Sequence, residues 1–252
     1  MVAVQAAEAD VLPLLVGREA EVGIAAVNGP VSVVLSGVET AVLEVAEKLA
    51  ASGVKTKRLR VSHAFHSPLM EPMLAEFAAV AEGLSYVAPS IPVVSNVTGE
   101  IASAEELCSP GYWVRHVREA VRFAAGVEAL AGAGASVFLE LGPDGVLSAM
   151  GQDSLPEAVF APALRADREE AQALSEALAQ VFVRGASVDW VEVLRAAGVR
   201  GRRVELPTYA FQRERFWLEP VAVSADRGEA VDAGFWDAVE RGDLPALADT
   251  LA

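Results

Sequence analysis

The chain has 252 residues, 53% of them hydrophobic, and its 20 Lys and Arg against 35 Asp and Glu give a formal charge of −15. This acidic balance argues against nucleic acid as a partner, because proteins that bind it concentrate cations on one face. The single cysteine, Cys108, excludes an internal disulfide and fits a reducing compartment. No signal-peptide pattern or apolar run of about 18 residues is present, so we expect a cytoplasmic protein without a membrane partner.

Strand and helix patterns alternate at short spacing in the first 61 residues. Strands are predicted at residues 1–5, 22–27, 31–35 and 54–61, and helices at 8–16 and 38–52. Pro13 should weaken the first helix, which Gly17 closes. Ser36 and Glu39 form a capping-box pattern before the second helix. The order βαββαβ predicts a ferredoxin-like lobe.

Longer elements follow from Ser67, a favourable N-cap residue before Pro68 at the first helical position. Helices are predicted at residues 68–82, 112–131 and 169–184, and strands at 91–96 and 136–141, the second of them buried. Segments 190–194 and 204–218 are predicted to be extended, 221–233 to be a linker, and 235–251 to be helical. The alternation of helices and strands predicts an α/β part with a parallel sheet.

The three histidines are the first candidates for chemistry. They are His63, His66 and His116, and His66 stands where a strand ends and a helix is about to begin. Loops at the carboxyl ends of strands in α/β sheets are where catalytic groups gather. An imidazole suits general acid–base work because its ordinary pKa lies near neutrality. On position alone, however, a loop histidine is more often a surface or hydrogen-bonded residue than a catalytic one.

Metal and nucleotide sites are not indicated. His63 and His66 are three residues apart, but no Cys, Asp or Glu at a recognisable spacing completes a ligand set. Gly132-Ala133-Gly134 precedes a strand, which is typical of a turn and not of a phosphate-binding loop. We therefore expect no metal and no bound nucleotide.

Several short motifs together resemble one family. Residues 60–70 read Arg-Val-Ser-His-Ala-Phe-His-Ser-Pro-Leu-Met, which resembles the catalytic-histidine segment of acyltransferase domains in modular type I polyketide synthases. The resemblance extends over about residues 1–220, and its other motifs lie at residues 26–30, 36–37, 94–99, 112–114, 121–123, 138–143 and 206–217.

The resemblance implies roles for particular residues. His66 matches the catalytic histidine, and His63, Ala64 and Phe65 match positions that select the substrate. A backbone carbonyl near Arg122, or Asn96 as the alternative, is expected to orient the His66 ring. Asn28 is expected at the pocket entrance. The linker that follows such domains would be anchored by aromatic residues, here Tyr209, Phe211, Phe216 and Trp217.

The chain departs from the family pattern in one major respect. The family's nucleophile is a serine in a Gly-His-Ser-x-Gly elbow, and no such motif occurs here. The resemblance implies that this elbow, and the arginine that binds the extender's carboxylate, lie before Met1. A base without a nucleophile cannot form an acyl-enzyme, so we expect the isolated chain to be inactive and incompletely folded.

The expected fold class is α/β. Residues 1–61 would form the ferredoxin-like small subdomain, and residues 62–185 the C-terminal part of a large, α/β-hydrolase-like acyltransferase subdomain. Residues 186–220 would be the post-acyltransferase linker. Residues 221–252 would contain a further linker and the start of a ketoreductase-type structural region.

By resemblance, the function is to load a malonyl extender from malonyl-CoA onto the phosphopantetheine arm of an acyl carrier protein. The chain itself would bind no cofactor, and its partners would be the ketosynthase and the carrier protein of the same synthase. An alternative is a non-catalytic fragment that docks on a ketosynthase or acyltransferase core through the aromatic linker. A ferredoxin-like regulatory domain that binds small acids is a third interpretation, supported only by the first 61 residues.

Substrate choice is predicted from the tetrad His63-Ala64-Phe65-His66. It resembles the malonyl-selecting version, whereas relatives that select methylmalonyl have Tyr-Ala-Ser-His at these positions. The phenyl ring of Phe65 would fill space that an α-methyl branch needs.

Overall fold

The computed structural model describes residues 1–201, 204–214 and 229–251. The chain divides into two compact units, Met1–Ala197 and Gly198–Ala252. The first unit contains a four-stranded sheet, a helical part and a small second sheet. Among the described residues, no helix combines the length and apolarity that crossing a membrane requires.

A four-stranded antiparallel sheet forms the first lobe, residues 1–61. Its elements are β1 (Val2–Val4), α1 (Glu8–Val11), β2 (Val22–Gly29), β3 (Ser32–Gly37), α2 (Glu39–Ala51) and β4 (Thr56–Arg58). The strand order is β2-β3-β1-β4, with Val2 opposite both Leu35 and Arg58. This confirms the βαββαβ order and the predicted pairing of the last strand with the first.

The lobe has its own hydrophobic core. Residues at helical spacing on α2 face alternate residues of β1 and β3, as the two periodicities require. The buried cluster comprises Val2, Val4, Ala6, Val11, Leu15, Val22, Val33, Leu35, Ala41, Val42, Val45, Ala46 and Leu49. β4, by contrast, is exposed along its length, so this edge strand is held mainly by its ladder with β1.

Two local predictions in the lobe need correction. The prediction of a capping box at Ser36 is wrong, because Ser36 lies inside β3 and is fully buried. The N-cap residue of α2 is Val38, which provides no side-chain cap. The first helix is shorter than predicted. Only Glu8–Val11 is α-helical, and Leu12–Leu14 forms a 3₁₀-helix around Pro13, because proline cannot donate the next α-helical hydrogen bond.

The remainder of the first unit is mainly helical. After a 3₁₀-helix (Pro68–Met73) come α3 (Leu74–Glu82), α4 (Ala104–Leu107), α5 (Pro110–Arg118), α6 (Phe123–Gly132), β5 (Val137–Glu140), α7 (Val146–Ser154), β6 (Val159–Pro162), α8 (Glu170–Val183) and α9 (Trp190–Ala196). Strands β5 and β6 pair in parallel, with Val137 opposite Val159, which agrees with the predicted parallel sheet. Strand β6 was not predicted.

Several elements predicted for this part of the chain differ from those observed. The predicted strand at residues 91–96 is only an isolated bridge between Val94 and Ile101. The helix predicted at 112–131 is broken into α5 and α6, and the extended segment at 190–194 is α9, capped by Asp189. β5 was expected to be buried, but Leu139 is 43% exposed and Leu141, just after it, 83%. β6 is its only neighbour among the described strands.

The second unit is described at residues 198–201, 204–214 and 229–251. Residues 204–214 have no regular secondary structure, and two helices follow, α10 (Glu229–Arg241) and α11 (Leu244–Leu251). The helical prediction for 235–251 is confirmed, whereas α10 already covers residues 229–233 of the predicted linker. Residues 221–228, Phe216 and Trp217 lie outside the described residues.

Gly37 offers a test of how tightly the lobe is built. At its φ of +150° an added Cβ would collide with the carbonyl oxygen of Glu21, which accepts a hydrogen bond from the Val38 N–H. We expect Gly37→Ala to lower the free energy of unfolding by about 3 kcal/mol or more, as strain and a backbone clash combine.

Gly53→Ala is the matched control for that experiment. Gly53 also has positive φ, +86°, but no atom lies within 4 Å of the position of an added Cβ. Only backbone strain of about 1–2 kcal/mol is expected there. Urea unfolding of both variants checks the prediction, and equal losses of stability would contradict it.

Candidate active site

His66 has an unusual backbone conformation. It lies in the loop between β4 and the 3₁₀-helix, and its φ of +53° makes it the only non-glycine residue with positive φ in the described part of the chain. Left-handed backbone costs an L-residue about 1–2 kcal/mol. Such strain is often found at functional sites, where neighbouring contacts enforce it.

Ser67 supplies those contacts. Its side chain is fully buried, its hydroxyl donates to the carbonyl oxygen of Ala64 at 2.6 Å, and the same oxygen accepts the N–H of Leu69 at 3.2 Å. The predicted N-cap at Ser67 with Pro68 at the first helical position is therefore present. These two bonds tie the residues before and after His66 together.

The ring of His66 is oriented by a backbone carbonyl. Its Nδ1 lies 2.8 Å from the carbonyl oxygen of Glu119, and since a carbonyl only accepts, Nδ1 carries the proton. Nε2 therefore keeps its lone pair and can accept a proton from a substrate or nucleophile. The half-buried ring is thus in the tautomer that a general base needs.

The identity of this acceptor corrects the sequence prediction. Neither Arg122 nor Asn96 bonds the ring. The Arg122 carbonyl oxygen accepts the Gly126 N–H at 3.0 Å, and the Asn96 carbonyl oxygen accepts the Arg122 N–H at 2.7 Å. α5 ends at Arg118, and its C-cap, Glu119, turns to an extended conformation with ψ of 161°. That helix end frees the Glu119 carbonyl, three residues before the predicted position.

The segment 119–122 is fixed to the first lobe. Val121 forms two backbone bonds with β2, donating to the Ala25 oxygen at 2.8 Å and accepting the Val27 N–H at 2.9 Å. The Arg122 guanidinium donates to both carboxylate oxygens of Glu8 at 2.6 and 2.7 Å. Arg122 therefore acts as a tie between the lobe and α6, not as the acceptor for His66.

The His66 ring contacts one member of an aromatic group on α5. The ring centroid of His116 lies 6.2 Å from that of His66, and those of Tyr112 and Trp113 lie 6.0 and 6.1 Å from His116. Burial, and second the charge of His66, hold the pKa of His116 below its ordinary value. The signal in the sequence for this group is the i, i+4 spacing of Tyr112 and His116, which places both on one helix face.

The residues predicted to select the substrate directly precede His66. Ala64 is half-buried, while His63 and Phe65 are exposed, with ring centroids 5.7 Å apart. The His63 Nδ1 lies 3.0 Å from the Ser62 hydroxyl. All three share the loop that Ser67 fixes, so their positions are coupled to that of the base.

The other predicted site residues are Asn28 and the aromatic residues of the linker. Asn28 is half-buried on β2, next to Val27, and its role at a pocket entrance stays a prediction. In the second unit, Tyr209 and Phe211 are 74% and 71% exposed, with their rings 5.6 Å apart. Their anchoring role stays a prediction too, and Phe216 and Trp217 lie outside the described residues.

The described residues contain no cluster of three or more His, Cys, Asp or Glu side chains that could hold a metal ion. Within the same residues, the one hydrogen bond of the His66 ring is to Glu119, and no serine hydroxyl contacts it. Among the described residues, the arrangement therefore provides an oriented imidazole without a serine beside it.

Comparison with known proteins shows two family matches. Residues 1–188 match the family described as the acyl transferase domain, and residues 232–252 match the polyketide synthase dimerisation element domain. The second match covers most of the segment that was predicted to begin a ketoreductase-type region. That ketoreductase assignment stays a prediction.

Relatives and solved structures agree with these matches. Polyketide synthase GfsA of Streptomyces halstedii is 54% identical in an alignment 256 residues long, which covers 98% of this chain and 3% of that protein. Mycoketide-CoA synthase of Mycobacterium tuberculosis is 54% identical over 228 residues, 90% of this chain and 5% of that protein. The chain therefore spans only a small part of these relatives.

Among solved structures, the acyltransferase domain from the second module of the salinomycin polyketide synthase is 55% identical with a TM-score of 0.74. The similarity covers 83% of this chain and 49% of that one. Malonyl-CoA:acyl carrier protein transacylase from Xanthomonas oryzae pv. oryzae is 31% identical with a TM-score of 0.60, over 69% of this chain and 57% of that one. The chain thus corresponds to about half of a solved acyltransferase domain.

Ser67 allows a test of the loop that holds His66. Ser67→Ala removes a donor to Ala64 and an acceptor for Leu69 at a buried position. We expect the free energy of unfolding to fall by about 2 kcal/mol, because two partly buried polar groups lose their partners. Ser103→Ala removes an exposed N-cap bond to Glu106 and should cost only about 0.5–1 kcal/mol. Urea unfolding compares them, and a smaller loss for Ser67→Ala would exclude this role.

Proposed function

The chain belongs to the acyl transferase domain family of modular polyketide synthases, and from that premise we propose that it is the base-bearing half of a domain that transfers a malonyl group from malonyl-CoA to an acyl carrier protein. The observation that carries this proposal is the 2.8 Å bond from the His66 Nδ1 to the Glu119 carbonyl. It leaves Nε2 as a proton acceptor on a fixed ring.

In the proposed reaction, a serine hydroxyl attacks the thioester carbonyl of malonyl-CoA while His66 Nε2 takes the serine proton. The carbon–sulfur bond then breaks, and the proton passes from His66 to the departing thiolate, giving free coenzyme A and a malonyl-serine ester. In the second half, the phosphopantetheine thiol of the carrier protein attacks this ester. Its proton passes through His66 to the serine oxygen, which leaves as the restored hydroxyl.

The position of the acceptor supports this role of His66. Glu119 is the C-cap of α5, where free carbonyls carry the negative end of the helix dipole. The Nδ1–H of His66 points at this helix end and is accepted by the Glu119 carbonyl. The contact therefore fixes the tautomer of the resting base.

We place the serine in the part of the domain that this chain lacks. The chain corresponds to 49% of the solved salinomycin acyltransferase, and its β5 region leaves Leu139 and Leu141 exposed. The other half of the domain would cover these apolar side chains and bring the serine to His66. The chain would need no bound cofactor, since malonyl-CoA and the phosphopantetheine arm are substrates.

A ketosynthase is the second proposed partner. Tyr209 and Phe211 are exposed side by side on a segment without regular structure, and exposed aromatic pairs are frequent anchors of protein interfaces. This observation also supports the alternative, in which the chain has only a docking role.

The base role can be tested in a completed domain, in which this chain is joined to a serine-bearing first half of an acyltransferase. We expect His66→Gln to lower the rate of serine acylation by malonyl-CoA about 10²–10⁴-fold, because proton transfer in the transition state is lost. Mass spectrometry of the acylated protein measures the rate. Lys48→Gln, at an exposed site on α2, is the control, and an equal loss in both variants would refute the proposal.

Extender choice can be tested in the same completed domain. Malonyl-CoA and methylmalonyl-CoA compete for the serine, and we expect a malonyl preference of roughly 10–200-fold, since excluding one methyl group by shape is worth about 1–3 kcal/mol. Phe65→Ser combined with His63→Tyr should reduce the preference without fully reversing it. Equal rates before substitution, or a methylmalonyl preference, would contradict selection by Phe65. Loading of neither substrate, together with ketosynthase binding, would favour the docking role.

A further inference from the structure

The end of α5 contacts His66 in two ways. Glu119, its C-cap, accepts the Nδ1–H at 2.8 Å. His116, three residues earlier in the last turn, meets the His66 ring at a centroid distance of 6.2 Å and an interplanar angle of 72°. Edge-to-face contacts of this kind have a preferred geometry, because the positive edge of one ring faces the π cloud of the other. One helix end therefore fixes both an atom and the plane of the imidazole.

His116 is itself held in place. Its ring lies against Tyr112 and Trp113 at 6.0 and 6.1 Å. Tyr112 is buried and its hydroxyl lies 3.0 Å from that of Ser95. The Trp113 indole N–H donates to the carbonyl oxygen of Leu107 at 3.0 Å. The two aromatic side chains that contact the His116 ring are thus each held by a hydrogen bond, which restricts rotation of His116.

Ser95 makes the first anchor directional. Its oxygen accepts the N–H groups of Val97 and Thr98 at 3.0 and 3.3 Å. With both lone pairs occupied, its own proton donates to the Tyr112 oxygen. Residues 95–98 therefore hold Tyr112, Tyr112 holds His116, and His116 holds His66.

We propose that His116 is a positioning residue for the base, whose ring, together with the Glu119 carbonyl, keeps the His66 imidazole in the orientation that uses Nδ1 and leaves Nε2 free. The role of this orientation in acyl transfer rests on the proposed function. The positioning itself is a property of the chain and can be tested without any reaction.

The lowered pKa of His116 is compatible with this role. It is lowered by burial first and by the positive charge of His66 second. Because a lowered pKa favours the neutral form of His116, its ring places no opposing charge beside the His66 imidazole.

The lowered pKa of His116 is not caused by the other charged groups on α5 or on the elements packed against it. Glu71 pairs with Arg118, and Arg115 lies near Glu106 and Glu119. The remaining carboxylates on these elements are Glu76 and Glu82 of α3 and Glu105 of α4. The causes that lower the pKa of His116 include none of these groups.

The test uses the 252-residue chain with ¹⁵N-labelled histidine rings. Only three histidines are present, so each ring can be assigned by substitution. At a pH where His66 is neutral, we expect its nitrogen shifts to show the Nδ1–H tautomer alone. His116→Ala should give a mixture of both tautomers, and His116→Phe, which keeps a ring, should restore the single form.

Controls separate positioning from loss of structure. The His63 shifts should stay unchanged in both variants, and Arg115→Gln, on the exposed face of α5, should leave the His66 shifts unchanged. If His116→Ala unfolds, His116→Gln replaces it, since it also lacks a ring. A single Nδ1–H tautomer in the folded Ala or Gln variant, or a mixture in the Phe variant, would overturn the proposal.

Kinetics in the completed domain then connect the positioning to acyl transfer. His116→Ala should lower kcat by up to about 100-fold with little change in KM, because a misaligned base affects the reacting geometry and not substrate binding, and His116→Phe should recover most of the rate. A completed domain with intact His116 that transfers no acyl group would refute the proposed function, while the tautomer measurement would still decide the role of His116.

Discussion

The hydrogen bond between His66 Nδ1 and the Glu119 carbonyl is the contact on which the rest of the site depends. It joins positions 53 residues apart and exists only if two segments are in place at once. One is the loop after β4, and the other is the segment after α5 that Val121 attaches to β2. The His66 imidazole is therefore oriented where the sheet lobe and the helical part meet. Its tautomer reports whether that junction is correctly assembled.

The strain at His66 is offset by the contacts that enforce it. A left-handed residue costs about 1–2 kcal/mol, whereas each intramolecular hydrogen bond contributes roughly 0.5–1.5 kcal/mol. The two bonds of the buried Ser67 and the Glu119 bond together are therefore comparable to that cost or larger. In return, the left-handed residue turns the chain sharply between β4 and the 3₁₀-helix. We therefore regard the φ of +53° as part of the site and not as a defect.

The sequence predicts the lobe well because its signals are local. Alternating strands and the helical period of α2 decide which face is buried. The prediction of a strand at residues 91–96 failed because an apolar run becomes a strand only where a neighbouring segment can pair with it. In the described chain, Val94 forms a single bridge, with Ile101. The prediction of the acceptor for His66 failed for a different reason. Every residue has a backbone carbonyl, so the sequence does not mark which carbonyl accepts a hydrogen bond. Arg122 was chosen because it lies in a family motif, but its side chain binds Glu8.

Several motifs that suggested the family come from distant parts of the sequence and are linked by contacts to one imidazole. Ser95 holds Tyr112, which contacts His116, and Val121 forms backbone hydrogen bonds with Ala25 and Val27 of β2. These motif residues therefore hold the His66 ring in place through packing and hydrogen bonds. This support is built within the first unit, Met1–Ala197. In the proposed function, a second half of the domain would add a serine and a substrate pocket to an imidazole that this chain has already oriented.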